Sequence, residues 1–276
     1  MKQLRTLENM PPMPPLEAYT QDAPAEPLRT SAFYSAASLK GKAVPPRQWL
    51  VHGLVPQKTV TLFSGDGGTG KSLLALQLAV AVTAGTGWIG KPVEQGRVLF
   101  LSAEDDDDEL HRRLDCILTS EDRDYEAVSG LTLRSLAGED ALLAVDTGLT
   151  LMQSELFKEL DARAAEEKPV FVVIDTLADV YPANENDRAK VRQFIGILRG
   201  LAIKRECAVM LLGHPSLTGL ASGSGTSGST SWNNSVRSRL YMSRIADNGF
   251  EPDTNARVLS VKKANYGSIG DEFNLK

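Results

Sequence analysis

Apolar residues in this chain fall into short unbroken runs, separated by stretches in which they recur with helical spacing. The runs lie near 58–64, 97–102, 170–175 and 207–213 and include RVLFLS, VFVVID and AVMLLG, none of which has a polar face. Runs of this length predict strands covered on both sides, as the central strands of parallel sheets are. Between them, 71–84, 106–118, 153–167 and 187–205 carry the helical period. The order β-α-β-α implies an α/β core, a mainly parallel twisted sheet with helices on its flanks. Further on, SRLYMSRI and ARVLSVKKAN alternate in twos around ADNGFEPDTN, which predicts a C-terminal antiparallel hairpin at the end of the sheet. The last residues, EFNLK, read as a strand with nothing to cap it, as in a chain cut short of its natural end.

The first 45 residues break the pattern with MPPMPP, DAPAEP and AVPPR. Proline at that density blocks helices and central strands, so 1–45 is expected to be a flexible arm and 46–276 the folded domain. Such an arm is either a tether or a segment that packs on a neighbouring subunit. No apolar run among the 276 residues reaches membrane-spanning length and the N-terminus lacks a basic-then-apolar leader, so a cytoplasmic protein without a membrane partner is expected. Cys116 and Cys207 sit in apolar periodic stretches far apart, which predicts two buried reduced thiols. A net charge of -5 argues against a broad basic face coating duplex DNA and leaves room only for local nucleic-acid contacts.

The most specific chemistry lies in GDGGTGKS, Gly65 to Ser72, which follows a predicted strand and opens a predicted helix. The pattern G-x-x-x-x-G-K-[ST] in that context is a phosphate-binding loop, whose glycines let backbone N–H groups turn towards phosphate oxygens at a helix N-terminus. Gly65, Asp66, Gly67, Gly68, Thr69, Gly70, Lys71, Ser72 and Leu73 are therefore expected around ATP, with Lys71 reaching its terminal phosphates and the Ser72 hydroxyl on Mg²⁺. Asp175 ends the run VFVVID at the carboxyl edge of the sheet, where it can orient Mg²⁺. Asp179, four residues on, has no assigned role. Glu104 follows the strand RVLFLS at the same edge and can orient the attacking water or take its proton. The acid run Asp105 to Glu109 reads as a solvated first helical turn favoured by the helix dipole.

A catalytic Glu beyond the second core strand resembles the RecA-like class. Over about residues 48–270, GDGGTGKS, LFLSAEDDDDELHRRL, VFVVIDTLADVY, LLGHPS and KKANYG resemble the RepA-type ATPases of plasmids and phages, RecA-fold hexameric replicative DNA helicases. The resemblance implies Glu104 as the catalytic carboxylate and His214 as a sensor of the γ-phosphate. It further implies Arg237 and Lys263, with Arg239 and Lys262 as substitutes, as cations inserted into a neighbour's ATP site. A homo-hexamer with the site at the subunit interface, single-stranded DNA in the channel and a primase or initiator as partner complete the expectation.

The stretch HPSLTGLASGSGTSGSTSWNNSVRSR then acquires a meaning. A sensor histidine followed by mobile Gly/Ser chain can report hydrolysis to whatever that chain touches, so 216–230 is expected against the DNA backbone, giving little sequence preference. SWNNSVRSR reads as a helical turn leading into a strand, with Trp232 in the core. His52 and His111 have no assigned partner. Two other readings remain open, a filament-forming recombination or repair ATPase and a nucleotide-switched assembly protein without translocation.

Overall fold

The four apolar runs become neighbours in one sheet. The computed structural model describes residues 33–214, 230–245 and 250–276. The chain divides into two units, Met1–Pro45 and Pro46–Lys276. Within the first, the described residues are exposed and form one 3₁₀ turn, Ala36–Leu39, opened by Ser35.

The second unit is built on an eight-stranded sheet. Its strands are β3 (Val60–Gly65), β4 (Val98–Ser102), β5 (Leu131–Ser135), β8 (Phe171–Asp175), β9 (Ala208–Gly213), β10 (Ser238–Arg244), β11 (Arg257–Ala264) and β12 (Glu272–Leu275). Their spatial order is β12-β11-β10-β3-β9-β8-β4-β5. From β10 to β5 all pairings are parallel, whereas β11 and β12 pair antiparallel at the far edge. Two small hairpins, β1 (Trp49–Val51) with β2 (Val55–Pro56) and β6 (Ala144–Asp146) with β7 (Leu151–Gln153), stand apart from the sheet.

The helices are α1 (Lys71–Ala84), α2 (Asp107–Ser120), α3 (Glu155–Glu167), α4 (Leu177–Val180), α5 (Arg188–Arg205) and α6 (Thr230–Ser235). Successive strand residues face opposite layers: Phe63, Phe100, Val173 and Met210 join the core with α1 and α2, and Leu62, Leu99, Val172 and Val209 join the core with α3, α5 and α6. Both faces are covered, which is why these strands show no polar alternation. Helix α1 is apolar on nearly every side, with Ala75, Leu76, Leu78, Val80 and Val82 buried. Helix α2 instead buries one stripe, Leu110, Leu114, Ile117 and Leu118. Asp106 caps α2 through the Glu109 N–H, and Ser154 and Asp187 cap α3 and α5 in the same way. No helix among the described residues is long and apolar enough to cross a membrane.

The structure departs from the sequence reading at three points. Cys207 is buried, but Cys116 is exposed, because the α2 stripe is set by Leu110, Leu114, Ile117 and Leu118 and turns Cys116 outward. The acid run is solvated only from its second residue. Asp105 keeps a side chain just 12% exposed and sits on Arg113 at 2.6 Å. Beyond these, β5, with every residue half-buried, and the two hairpins of two- and three-residue strands were not expected, since segments that short or that mixed carry no clear period. Trp232 is fully buried on α6, edge-on to Tyr181 and Phe194.

Candidate active site

Four strands deliver the expected catalytic groups to one edge of the sheet. Strand β3 runs into the loop at Gly65, β4 ends two residues before Glu104, β8 ends in Asp175 and β9 ends one residue before His214. The registers Ser102↔Asp175, Ile174↔Leu211 and Ser64↔Gly213 keep these ends level. Because β9 lies between β3 and β8, His214 emerges between the loop and Asp175. A cleft of about 370 Å³ results, lined by Gly68, Gly70, Lys71, Ser72, Leu73, Glu104, Arg113, Asp175 and His214.

The loop's shape depends on glycine at two places. Gly70 has φ +93° and opens α1 from the left-handed region, where a side chain would be strained. Gly65 leaves no space for a Cβ, which would run into the carbonyl of Met242 on β10. Lys71 Nζ donates to the carbonyls of Gly65 at 2.8 Å and Asp66 at 2.9 Å, and Thr69 Oγ1 donates to the Asp66 carbonyl at 2.8 Å. Burial lowers the Lys71 ammonium below its ordinary value, and Asp175, Glu104 and Asp66 pull it back up.

A polar chain crosses the cleft. His214 Nδ1 lies 3.5 Å from Lys71 Nζ, and His214 Nε2 lies 3.4 Å from Glu104 Oε1. The imidazole thus stands between an ammonium, which can only donate, and a carboxylate, which accepts. Asp175 is the most perturbed acid here. Burial pushes its carboxyl up to about 7, opposed by the Ser72 hydroxyl, with Glu104 and Asp105 adding repulsion and Lys71 attraction. Its Oδ2 is buried without a hydrogen-bond partner among the described residues. A buried acceptor beside a serine hydroxyl, raised chiefly by burial, suits a hard divalent cation. Asp179 lies close enough to Glu104 for burial and that repulsion to raise it too.

Arg237, Arg239 and Lys263 are brought together, but at the other end of the strands. Arg239 pairs with Leu62 of β3 and with Lys263 of β11, and Arg237 N–H donates to the Val60 carbonyl. Arg239 is three residues below the Met242–Gly65 pair, about 10 Å along the strand. Lys263 Nζ donates to the Asn233 carbonyl at 2.5 Å and Arg239 to the Asn233 side chain at 3.3 Å. Burial, then the two arginines, lowers the Lys263 ammonium. Lys262 is exposed and stands 5.9 Å from the Tyr241 ring. The expected DNA-contacting stretch 216–230 lies, up to residue 229, outside the described residues.

Several residues at the cleft escaped the sequence reading. Arg113 lines it, held by Asp105 at 2.6 Å and Glu109 at 2.9 Å. Tyr241, Arg244 and Arg257 reach the loop from β10 and β11. Arg113 lies within LFLSAEDDDDELHRRL and is offset by one helical turn from Glu109, whereas Tyr241, Arg244 and Arg257 belong to none of the quoted motifs. His52 and His111 sit beside Trp49 and Tyr125, with ring centres 5.6 and 6.0 Å apart, away from this cleft.

Residues 24–219 match the family model AAA_25, an AAA domain. Among solved structures, a KaiC-like protein from the hyperthermophilic archaeon Pyrococcus horikoshii OT3 is similar to this chain. The TM-score is 0.56 at 14% identity, over 82% of this chain and 89% of that one. At that identity the likeness establishes the fold, a RecA-like P-loop core.

Proposed function

The chain belongs to the AAA_25 family of AAA-domain proteins and has a P-loop ATPase core, and from that premise we propose that it is a RepA-type motor. It hydrolyses MgATP in a ring-shaped homo-oligomer, expected to be a hexamer, and moves along single-stranded DNA in plasmid or phage replication, with a primase or initiator as partner. The observation that supports this reading is the contact chain Lys71–His214–Glu104, whose histidine immediately precedes residue 215 in the sequence.

The residues divide the work as follows. Loop N–H groups and Lys71 bind the phosphates, Lys71 exchanging the Gly65 and Asp66 carbonyls for phosphate oxygens. Ser72 and Asp175 would hold Mg²⁺, which neutralises charge on the phosphate oxygens. Glu104, with its side chain 45% exposed, orients the attacking water and accepts its proton. His214 senses the γ-phosphate as a neutral donor and passes its position to the following chain. Arg237 and Lys263, too far down β10 and β11 to serve their own loop, stabilise charge in the neighbour's site.

ATP turnover against added single-stranded DNA tests the reading, with Glu104→Gln as control. Stimulation by DNA that vanishes in the variant supports the motor. Turnover indifferent to DNA contradicts it and favours the assembly switch. Particles with an ATP analogue that form open helices rather than rings would favour the filament-forming recombinase.

A further inference from the structure

The P-loop is gripped from outside by three side chains of β10 and β11 that belong to none of the quoted motifs. Tyr241 on β10 donates its hydroxyl proton to Asp66 Oδ1 at 2.6 Å. Arg244, at the end of β10, donates to the Gly67 carbonyl at 3.2 Å, and Arg257, at the start of β11, donates to the Thr69 carbonyl at 3.2 Å. The β10 backbone meanwhile lies against Gly65 so closely that no Cβ fits between them. Tyr241 is 7% exposed, and burial followed by the Asp66 hydrogen bond holds its phenol above the ordinary value.

These contacts have a direction. In a planar trans peptide, the carbonyl of one residue and the N–H of the next point opposite ways. An arginine that holds the Gly67 carbonyl outward turns the Gly68 N–H away from itself, and one that holds the Thr69 carbonyl does the same for the Gly70 N–H. Gly68 and Gly70 both line the cleft. With Lys71 and Thr69 on the Gly65 and Asp66 carbonyls, and the Leu74 N–H on that of Gly70, every carbonyl from Gly65 to Gly70 except that of Gly68 has a donor.

We propose that Tyr241, Arg244 and Arg257 are positioning residues for nucleotide binding. They form a clamp from the C-terminal hairpin that orients the P-loop amides before the phosphates arrive. The clamp rests on the P-loop being the nucleotide site. It predicts that removing a clamp hydrogen bond weakens nucleotide binding while the fold survives, because an unclamped loop must be ordered by the ligand.

Equilibrium binding of a fluorescent ATP analogue to the full chain, read beside the melting temperature, tests this. Tyr241→Phe deletes one oxygen and should weaken binding about tenfold with an unchanged melting temperature, the size expected of one such hydrogen bond. Asp66→Ala, which deletes the acceptor, should cost a similar factor, and the double variant should be no weaker than the weaker single one, because both remove the same contact. Arg257→Ala should also lose about tenfold, and Arg257→Lys, which keeps a donor, should recover most of it. Unchanged affinity in Tyr241→Phe and Arg257→Ala, with binding abolished in Lys71→Ala, would overturn the clamp alone. So would multiplying losses in the double variant, or a loss that tracks a fall in melting temperature. Full affinity in Lys71→Ala would overturn the P-loop as the site and the clamp with it.

Discussion

The two ends of the hairpin β10–β11 face opposite tasks. At the carboxyl edge, Tyr241, Arg244 and Arg257 lie on the P-loop beside Glu104, His214 and Asp175. At the amino edge, Arg239 and Lys263 donate to Asn233, Arg237 is close enough to repel Lys263, and no ion pair to Arg237 or Lys263 exists among the described residues. At the first end burial raises Asp175 to about 7, against the Ser72 hydroxyl, and the carboxylates of Glu104 and Asp105 add repulsion. At the second, burial lowers Lys263, and repulsion from Arg237 and Arg239 adds to it. One sheet holds the two ends apart, and under the proposed function nucleotide and cation complete the first while an anion from outside completes the second. A neighbour's ATP site would supply that anion.

The largest effect expected from breaking this contrast is at the acidic end. Glu104→Gln should lower turnover by about 10³-fold while nucleotide still binds, the scale of a lost general base. Steady-state hydrolysis beside analogue binding checks it, and retained turnover would remove Glu104 from the chemistry.

Next comes the basic end. Lys263→Ala should cost about 10²-fold in turnover and leave nucleotide affinity within about twofold, because it acts on developing charge and not on ground-state binding. A loss confined to affinity would place it elsewhere.

Asp175 gives a third contrast, between function and stability. Its folded carboxyl titrates near 7, above the ordinary value of 3.8, so the folded chain holds that proton more tightly than the unfolded one. The cost of ionisation is absent below the unfolded value and grows as pH rises from about 4 through 7. Without cation or nucleotide, Asp175→Asn should therefore melt several degrees higher than the parent at pH 8 and at the same temperature near pH 4. A melting difference independent of pH would contradict the assignment. The smallest effect expected is deletion of Ser222–Ser229, which should abolish stimulation by single-stranded DNA and spare basal turnover.

What the sequence disclosed depended on how many residues shared one signal. The central strands were legible because Val172, Val173 and Ile174 face alternate layers that are both apolar. The P-loop was legible because its backbone demands glycine at fixed offsets from Lys71. By contrast, β5 and the small hairpins are too short or too mixed to impose a period. Cys116 misled because one exposed thiol inside an apolar stripe looks like its neighbours. The clamp was invisible for a different reason. Tyr241 meets Asp66 across 175 residues, and that contact follows from the parallel pairing of β10 with β3, which no local pattern announces.

Mixing subunits tests the account most directly. Lys263→Ala and Lys71→Ala chains, each strongly impaired alone, are combined in varying ratio and ATP turnover is followed. If the basic end of one subunit completes the acidic end of the next, mixed rings contain sites with an intact P-loop facing an intact lysine, and turnover rises above both parents. Turnover that stays at the level of the two variants measured separately, at every ratio, would mean that Lys263 does not act across the interface and that the two ends of the hairpin do not meet in the assembly.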